Sequence, residues 1–147
     1  YLKSRGLGDV YKRQEWSSAR LEDYRVAGDN TKMYITLEFV GIVFQNPTID
    51  ASRMTHLHLD VYAPGGSNMG LELFSFPSGP TSGVATQKLV LDANSVPAFN
   101  PGAWSSLEIP LALFELGDGW DWAHVGQMVL STSNAQLLLV DNVYWHK

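Results

Sequence analysis

The amino-acid sequence predicts an all-β fold, an antiparallel β-sandwich or jelly roll, and three observations support it. Apolar and polar residues alternate in Met54–Pro64 and Trp104–Leu111, which is the period of a strand with one buried face. Turns rich in glycine and proline separate about eight such short segments. No segment has the apolar period of an amphipathic helix of useful length. Short strands without helices are typical of sandwiches and jelly rolls.

The predicted strands follow one another along the chain. Trp16–Val26 is a candidate strand that ends at the turn signal Gly28-Asp29-Asn30. Met33–Phe44 is rich in β-branched and aromatic residues and predicts a single strand, in which Gly41 marks a bulge or a close backbone approach. A loop with one short helical turn is expected at residues 46–52. The later strands are predicted at Leu71–Phe76, Thr86–Leu91, Trp104–Leu111, His124–Ser131 and Gln136–Trp145.

The connections between these strands have their own signals. Pro77–Gly83 consists of Pro, Ser, Gly and Thr and predicts a loop, and Asp92–Gly102 reads as a long connection with two prolines. Pro110 removes a ladder donor, so its strand ends there or lies at a sheet edge. Leu111–Leu116 predicts one helical turn, which Gly117-Asp118-Gly119 breaks.

The strand within Met54–Pro64 has two different faces. Leu57, Leu59 and Val61 are expected to lie on the core. The other face carries two imidazoles, a carboxylate and a phenol, from His56, His58, Asp60 and Tyr62. That polar face is either a ligand site or an ordinary solvated surface.

The bulk composition limits the classes of protein. A chain of 147 residues with 45% hydrophobic and 17% charged residues is a single globular domain. It has no cysteine, so disulfides and thiolate metal sites are excluded. No apolar run approaches the roughly 20 residues of a membrane span, and the first residues hold no apolar signal-peptide core. We therefore expect no membrane partner.

The charge is unevenly distributed. Residues 1–14 contain four basic and one acidic side chain, whereas the other residues contain six basic and 14 acidic ones. An acidic body repels phosphate backbones, which argues against nucleic acid as a partner.

The first 14 residues differ from the rest of the chain. Gly8–Gln14 resembles the translated transposase-adapter sequence found at the ends of metagenomic reads. We therefore expect residues 1–14 to be a non-native tail and residues 15–147 to form the domain. The alternative is a basic interdomain linker.

Three segments together resemble a known family. Thr48–Val61, Gly102–Phe114 and Trp122–Lys147 are similar to carbohydrate-binding-module-like β-sandwich domains (galactose-binding-like jelly rolls). Such domains are appended to bacterial secreted glycoside hydrolases, especially family 16 β-glucanase-type enzymes. The resemblance implies a non-catalytic module that binds a polysaccharide, a β-glucan or a related glycan. It also implies a covalently linked catalytic domain and an extracellular or cell-surface location. Relatives begin with one more strand, which carries an acidic residue, so we expect that first strand to be missing here.

Aromatic rings and neighbouring polar groups are the expected sugar contacts, because ring faces stack on the apolar faces of pyranoses. Tyr62 is the first candidate, with His58 and Asp60 on the same face. Glu72 and Phe74, with Phe76, are expected to extend the same patch from a neighbouring strand. In a glycine-rich loop, Trp120 and Trp122 flank Asp121, so at least one of them is expected to be exposed. Trp104 and Trp145 are interpreted as mainly structural.

The resemblance implies a possible structural calcium near the chain termini, although no cofactor is required for binding. Asp141 is the matching residue, with Asn142 as a partner. The alternative is a carboxylate that is hydrogen-bonded to the backbone at a strand end.

Three other functions compete with glycan binding. His56 and His58 point the same way on one strand, as in cupin-type metal sites, with His124 or His146 as a third ligand. A cupin site also needs a carboxylate three or four residues further on, where Tyr62 and Ala63 stand. A glycosidase would need a close carboxyl pair, for which Asp60 and Glu72 would have to oppose each other across strands. The third alternative is a structural spacer domain.

Overall fold

Alternating apolar side chains build two antiparallel sheets, sheet A and sheet B, with a shared core. The computed structural model describes residues 2–3, 20–35, 39–44, 47–133 and 137–147. Within these ranges the helical elements are two 3-10 turns, at Leu111–Leu113 and Trp122–His124. Within the described residues no helix has the length and apolar character to cross a membrane. The predicted all-β antiparallel sandwich is confirmed.

Sheet A contains the described strands nearest to both chain termini. Its order is β2 (Arg20–Val26), β3 (Asp29–Ile35), β11 (Leu137–His146), β5 (His56–Tyr62) and β9 (Trp104–Pro110), and β1 (Leu2–Lys3) also pairs with β11. The strand β9 lies at the sheet edge and ends at Pro110, as predicted from the missing ladder donor.

Sheet B is built around two neighbouring strands. Its order is β4 (Phe39–Val43), β10 (Val125–Thr132), β6 (Asn68–Ser75) and β7 (Val84–Ala85), and β8 (Leu89–Asp92) also pairs with β6. Each of these strands places alternate side chains toward sheet A and the others outward.

The inward side chains form one buried cluster between the sheets. Leu57, Leu59 and Val61 of β5 are fully buried there, as predicted. Trp145 is also fully buried, and its ring meets Phe44 edge to face with the centroids 5.5 Å apart. The structural role predicted for Trp145 is therefore confirmed, because a ring in this position supplies a large part of the apolar contact area.

Two of the predicted strands do not form as single strands in the structure. Met33–Phe44 was expected to be one strand, but β3 ends at Ile35 in sheet A and β4 begins at Phe39 in sheet B. Thr86–Leu91 was also expected to be one strand, but β7 lies before it and β8 occupies only its end. Local propensity is strand-like throughout both segments, so it does not reveal where the chain changes its pairing partner.

The turns follow from local backbone chemistry. Ala27 and Gly28 both have positive φ, at 50° and 88°, which is the geometry of a two-residue type I′ hairpin between β2 and β3. The turn was predicted at Gly28-Asp29-Asn30, but it lies earlier in the chain, because Asp29 and Asn30 already pair with β2 as part of β3. No helical turn forms within the described residues 47–52. There the Asp50 carboxylate accepts hydrogen bonds from both the backbone and the hydroxyl of Ser52.

The domain boundaries remain predictions. Leu2 and Lys3 pair with Trp145 and Tyr144 of β11, but backbone pairing does not report the origin of a segment. Residues 15–19 lie outside the described part. The foreign origin of residues 1–14 and the missing first strand therefore stay predictions.

Candidate functional site

The outer face of sheet B carries a groove. A cavity of about 400 Å³ crosses this face, within the size range of small-ligand sites. The lining side chains come from β4, β6 and β10 and from the residue before β8. They are Phe39, Glu72, Phe74, Lys88, Gln127, Val129 and Ser131.

The strand register arranges the lining side chains in rows across the strands. Val43 lies opposite Gln127, which lies opposite Phe74, and in the next row Gly41, Val129 and Glu72 are aligned. The third row contains Phe39, Ser131 and Gly70. Two rings therefore stand at opposite sides of a floor formed by small and branched residues.

Gly70 keeps the groove open at its third row. A Cβ atom at this position would lie 2.5 Å from Ser131 Oγ and 2.9 Å from Lys88 Cδ. The aliphatic stem of Lys88 thus lies directly against the glycine backbone. Any larger residue would displace the lysine or the serine into the groove.

The polar groups of the groove are not engaged with each other. Among the described residues, the side chains of Glu72, Lys88 and Gln127 have no hydrogen bond or ion pair. Their donors and acceptors are therefore open to water or to a ligand that offers hydroxyl groups.

The outer face of sheet A is different, because its polar groups bond to one another. His58 Nδ1 lies within hydrogen-bond distance of one Glu108 oxygen, and His146 Nε2 lies 2.7 Å from the other. His58 Nε2 lies 3.3 Å from Asp60, whose second oxygen accepts a hydrogen bond from Asn142. We call these five residues the carboxylate–histidine network.

Aromatic packing covers the His58 part of the carboxylate–histidine network. The Tyr144 ring stacks on His58 with the centroids 4.5 Å apart, and His58 is only 7% exposed. The rings of His56 and His146 also stack, with the centroids 5.4 Å apart. This end of the face is therefore an internally bonded surface.

The network shifts two pKa values. Desolvation acts to raise the pKa of Glu108, but the hydrogen bonds to His146 and His58 outweigh it and hold that pKa below its ordinary value. The hydrogen bond to Glu108, assisted by the backbone carbonyl of Lys147, raises the pKa of His146. The charged pair is thus favoured in the folded protein.

The other end of the same face is apolar. Met33, Leu139, Tyr62 and Trp104 are aligned across β3, β11, β5 and β9. The rings of Tyr62 and Trp104 have centroids 5.9 Å apart, and Trp104 is 42% exposed. We call these four residues the apolar row. Trp104, interpreted from the sequence as mainly structural, lies outside the buried core, because its position alternates with the buried Ser105, Leu107 and Ile109.

The predicted sugar-facing residues are divided between the two outer faces. His58, Asp60 and Tyr62 lie on the outer face of sheet A, as the alternation predicted. Glu72 and Phe74 lie in sheet B and line the groove, so the expectation that they extend the same patch is wrong. Asp60 and Glu72 consequently cannot form a glycosidase pair, because the whole sandwich separates them. Phe76 is 9% exposed and does not line the groove.

Trp120 and Trp122 pack against the core at one end of the sandwich. Their rings meet edge to face with the centroids 4.9 Å apart, and both are half-buried. The Trp120 indole nitrogen is buried and has no hydrogen-bond partner. Between them, Asp121 caps the 3-10 turn by accepting from the Ala123 N–H. Hence the expectation of an exposed tryptophan in this loop is wrong, because the turn folds both rings back onto the sandwich.

The possible metal sites receive no support from the described residues. Asp141 accepts a hydrogen bond from the backbone N–H of Asn142, which has a positive φ of 48° at a bulge in β11. No group of three or more His, Asp or Glu side chains in the described ranges is arranged to hold a metal ion. His56 bonds to Thr55 and His58 to Glu108, so the cupin-type arrangement is not formed.

The groove contains residues that the sequence did not single out. Gln127, Val129 and Ser131 occupy alternate positions of β10, and their outward direction follows from the buried Met128 and Leu130. Phe39 and Lys88 had no comparable signal, because their positions depend on the strand divisions described above.

Solved structures with the same fold include several carbohydrate-binding modules. The family 11 module from Clostridium thermocellum, in complex with a β-1,3-1,4-mixed-linked tetrasaccharide, is 12% identical with a TM-score of 0.67, over 98% of this chain and 94% of that one. A module specific for non-crystalline cellulose, CBM28, is 13% identical with a TM-score of 0.59, over 86% and 80% of the two chains. An exo-β-agarase is 12% identical with a TM-score of 0.61, over 96% of this chain and 24% of the agarase.

The comparisons by sequence give no relative: no protein-family model and no curated protein matches this chain. At identities this low, a structural likeness establishes the fold and leaves the ligand open. The predicted likeness to carbohydrate-binding modules is confirmed at that level. The chain has the two-sheet antiparallel β-sandwich fold of the carbohydrate-binding modules.

Proposed function

We propose that this domain is a non-catalytic module that binds a polysaccharide, a β-glucan or a closely related neutral glycan, in the groove of sheet B. The observation that carries the proposal is the groove itself, a cavity of about 400 Å³ in which two rings flank open hydrogen-bonding groups. The fold supports the same function, because similar modules are described by the glucans that they bind.

The groove chemistry suits a sugar chain. A pyranose has apolar C–H faces and a rim of hydroxyl groups, so it needs rings to stack on and polar side chains at the edges. Phe39 and Phe74 supply the rings, and Glu72, Gln127 and Ser131 supply acceptors and donors. A flat apolar contact with few rotatable bonds also limits the entropy lost on binding.

The charge of the groove favours an uncharged ligand. Glu72 and Lys88 bring one acidic and one basic side chain to its lining, and the chain as a whole has a formal charge of −5. Phosphate-rich polymers would be repelled by this overall charge. Neutral glucans or galactans meet no such penalty.

The proposal also includes the protein to which the module is linked and its location. We infer that the domain is covalently linked to a glycoside hydrolase that acts outside the cell or at its surface, and that it holds the enzyme near its substrate. The structural likeness to about a quarter of an exo-β-agarase chain supports this arrangement. Glycan binding by the groove residues needs no cofactor, and a structural calcium at Asp141 stays a prediction.

Calorimetric titration tests the proposal. Soluble mixed-linkage β-glucan, laminarin oligosaccharides and agarose oligosaccharides are titrated into the parent protein and into Phe74→Ala. We expect the parent to bind at least one of them and Phe74→Ala to weaken that binding about tenfold or more, since a stacking surface is lost.

A matched control separates the groove from a general loss of apolar surface. Leu113 is 41% exposed in the 3-10 turn and does not line the groove, so Leu113→Ala should bind like the parent. Equal affinities of Phe74→Ala and the parent would refute the groove as the site. A parent that binds none of the glycans would favour the spacer function instead.

A further inference from the structure

The apolar row on the outer face of sheet A has the features of a second ligand surface. It spans four strands, but Leu139 within it is only 7% exposed, so the accessible rings are those of Tyr62 and Trp104 on neighbouring strands, about 4.8 Å apart. Trp104 stands at the edge strand with 42% of its surface exposed. A single exposed apolar side chain is ordinary, but the Trp104 ring lies beside that of Tyr62, so the two form one aromatic surface outside the core.

Hydrogen-bonding groups lie beside these rings. Asp60 and Ser106 are paired in register two residues from Tyr62 and Trp104, which is roughly 7 Å along the strands. The Asp60 side chain is 24% exposed, and its position is fixed by hydrogen bonding to Asn142. A preorganised acceptor next to a ring platform is the arrangement that recognises a pyranose with its hydroxyl rim.

The rest of this face is already engaged. The carboxylate–histidine network connects His58, Glu108 and His146 and leaves no equally open group at that end among the described residues. The surface suited to a ligand is therefore confined to the row of Tyr62 and Trp104 together with Asp60 and Ser106.

From these contacts we infer that the Tyr62–Trp104 platform is a second, separate contact site for a β-glucan chain, on the side of the sandwich opposite the groove. The inference rests on the proposed function, since it assigns the same class of ligand to both faces. The two sheets of a sandwich pack about 10 Å apart, and the sites point in opposite directions. One short oligosaccharide cannot occupy both sites, so the domain can contact two glucan chains at once.

Nuclear magnetic resonance titration can distinguish the two sites. The ¹⁵N-labelled full chain is titrated with the β-1,3-1,4-mixed-linked tetrasaccharide, once as the parent and once as Phe74→Ala. The Trp104 indole N–H and the Ser106 amide report the platform, and the Gln127 and Val129 amides report the groove. We expect both sets of signals to shift in the parent, and the platform signals to shift unchanged in Phe74→Ala.

Two variants sharpen the test. Trp104→Ala should lose the Ser106 shift while the groove signals still respond, and Trp104→Phe should restore a smaller Ser106 shift because a ring is retained. Trp104 is exposed, so neither variant removes core packing.

The outcomes separate the two proposals. Platform signals that stay still while the groove signals shift would refute the second site and leave the proposed function intact. Platform signals that shift while the groove is silent would support the second site and refute the groove. If neither set shifts at millimolar tetrasaccharide, the second β-glucan site is refuted, and the groove is judged by the calorimetric titrations with laminarin and agarose oligosaccharides.

Discussion

The two outer faces of the sandwich are built on the same alternation of side chains, yet they use their polar groups differently. On sheet A, Glu108 and Asp60 are bonded to histidines and to Asn142. On sheet B, Glu72 and Gln127 line an open groove and have no such partners among the described residues. Polar groups that bond to each other stabilise a sheet, whereas groups left open beside rings can bind a ligand. The state of the hydrogen bonds therefore distinguishes the groove of sheet B from the carboxylate–histidine network of sheet A, although their residue types are similar.

Of the changes predicted here, a substitution that fills the groove should cause the largest change in glycan binding. In Gly70→Val the added side chain would collide with Ser131 and with the stem of Lys88, so both would be pushed into the groove. Because the displaced side chains would occupy the space of the ligand, we expect the glycan affinity to fall by about a hundredfold. Titration calorimetry with the best-bound glucan measures it. The thermal midpoint should also fall, because displacing two side chains at a buried strand position costs about 1–3 kcal/mol, so the titration is run well below that midpoint.

A second glycine offers the matched control for this variant. A Cβ atom at Gly65 would have no neighbour within 4 Å, so Gly65→Ala should bind like the parent. If Gly70→Val kept full affinity, the groove on sheet B would not be the binding site.

Breaking the carboxylate–histidine network should lower stability and leave glycan binding in the groove unchanged. Glu108→Ala removes the partner of the buried His58 and of His146. A buried ring nitrogen without a hydrogen bond costs about 1–2 kcal/mol, so we expect the free energy of unfolding to fall by that amount. Urea denaturation measures this change. Glu115→Ala removes an equal charge from an exposed position and should change the unfolding free energy by less than about 0.5 kcal/mol. A Glu108→Ala protein with weakened groove binding would contradict the separation of the two faces.

The fold and part of each face were predictable because strand periodicity is local. The alternation in β5 placed Leu57 and Leu59 inside and Tyr62 outside, and Pro110 marked an edge strand. The assignment of strands to sheets was not predictable, because propensity does not encode pairing partners. That limit explains why Phe74 was assigned to the face that carries Tyr62.

The exposure of the tryptophans was also hard to predict from the sequence. Trp104 had the right alternation for an outward ring, but aromatic residues in strands are usually part of a core. Trp120 and Trp122 lie in a glycine-rich segment that predicts exposure, yet the cap by Asp121 folds the segment back onto the core. Side-chain hydrogen bonds of this kind depend on the final backbone path, which composition does not contain.

The smallest expected effect is a pH dependence of stability that arises from the Glu108–His146 pair on the outer face of sheet A. Because Glu108 raises the pKa of His146 above its ordinary value of 6.5, the stabilisation is complete below that value and is lost as pH rises through the raised pKa. Because its histidine partners outweigh desolvation and lower the pKa of Glu108 from 4.5, the stabilisation is lost again as pH falls through the lowered pKa. The pair should thus contribute most at about pH 5–6.

Solvent screening limits the size of this pH effect. The Glu108 and His146 side chains are 50% and 25% exposed, so the contribution should stay below about 1 kcal/mol. His146→Gln keeps a hydrogen-bond donor to Glu108 but cannot titrate, and it should flatten the difference in unfolding free energy between about pH 5.5 and about pH 8. Urea denaturation of both proteins at these two pH values measures the difference. Identical pH profiles for the parent and His146→Gln would show that the charged pair does not stabilise the protein. The claim that the polar groups of sheet A serve stability would then be refuted for this pair.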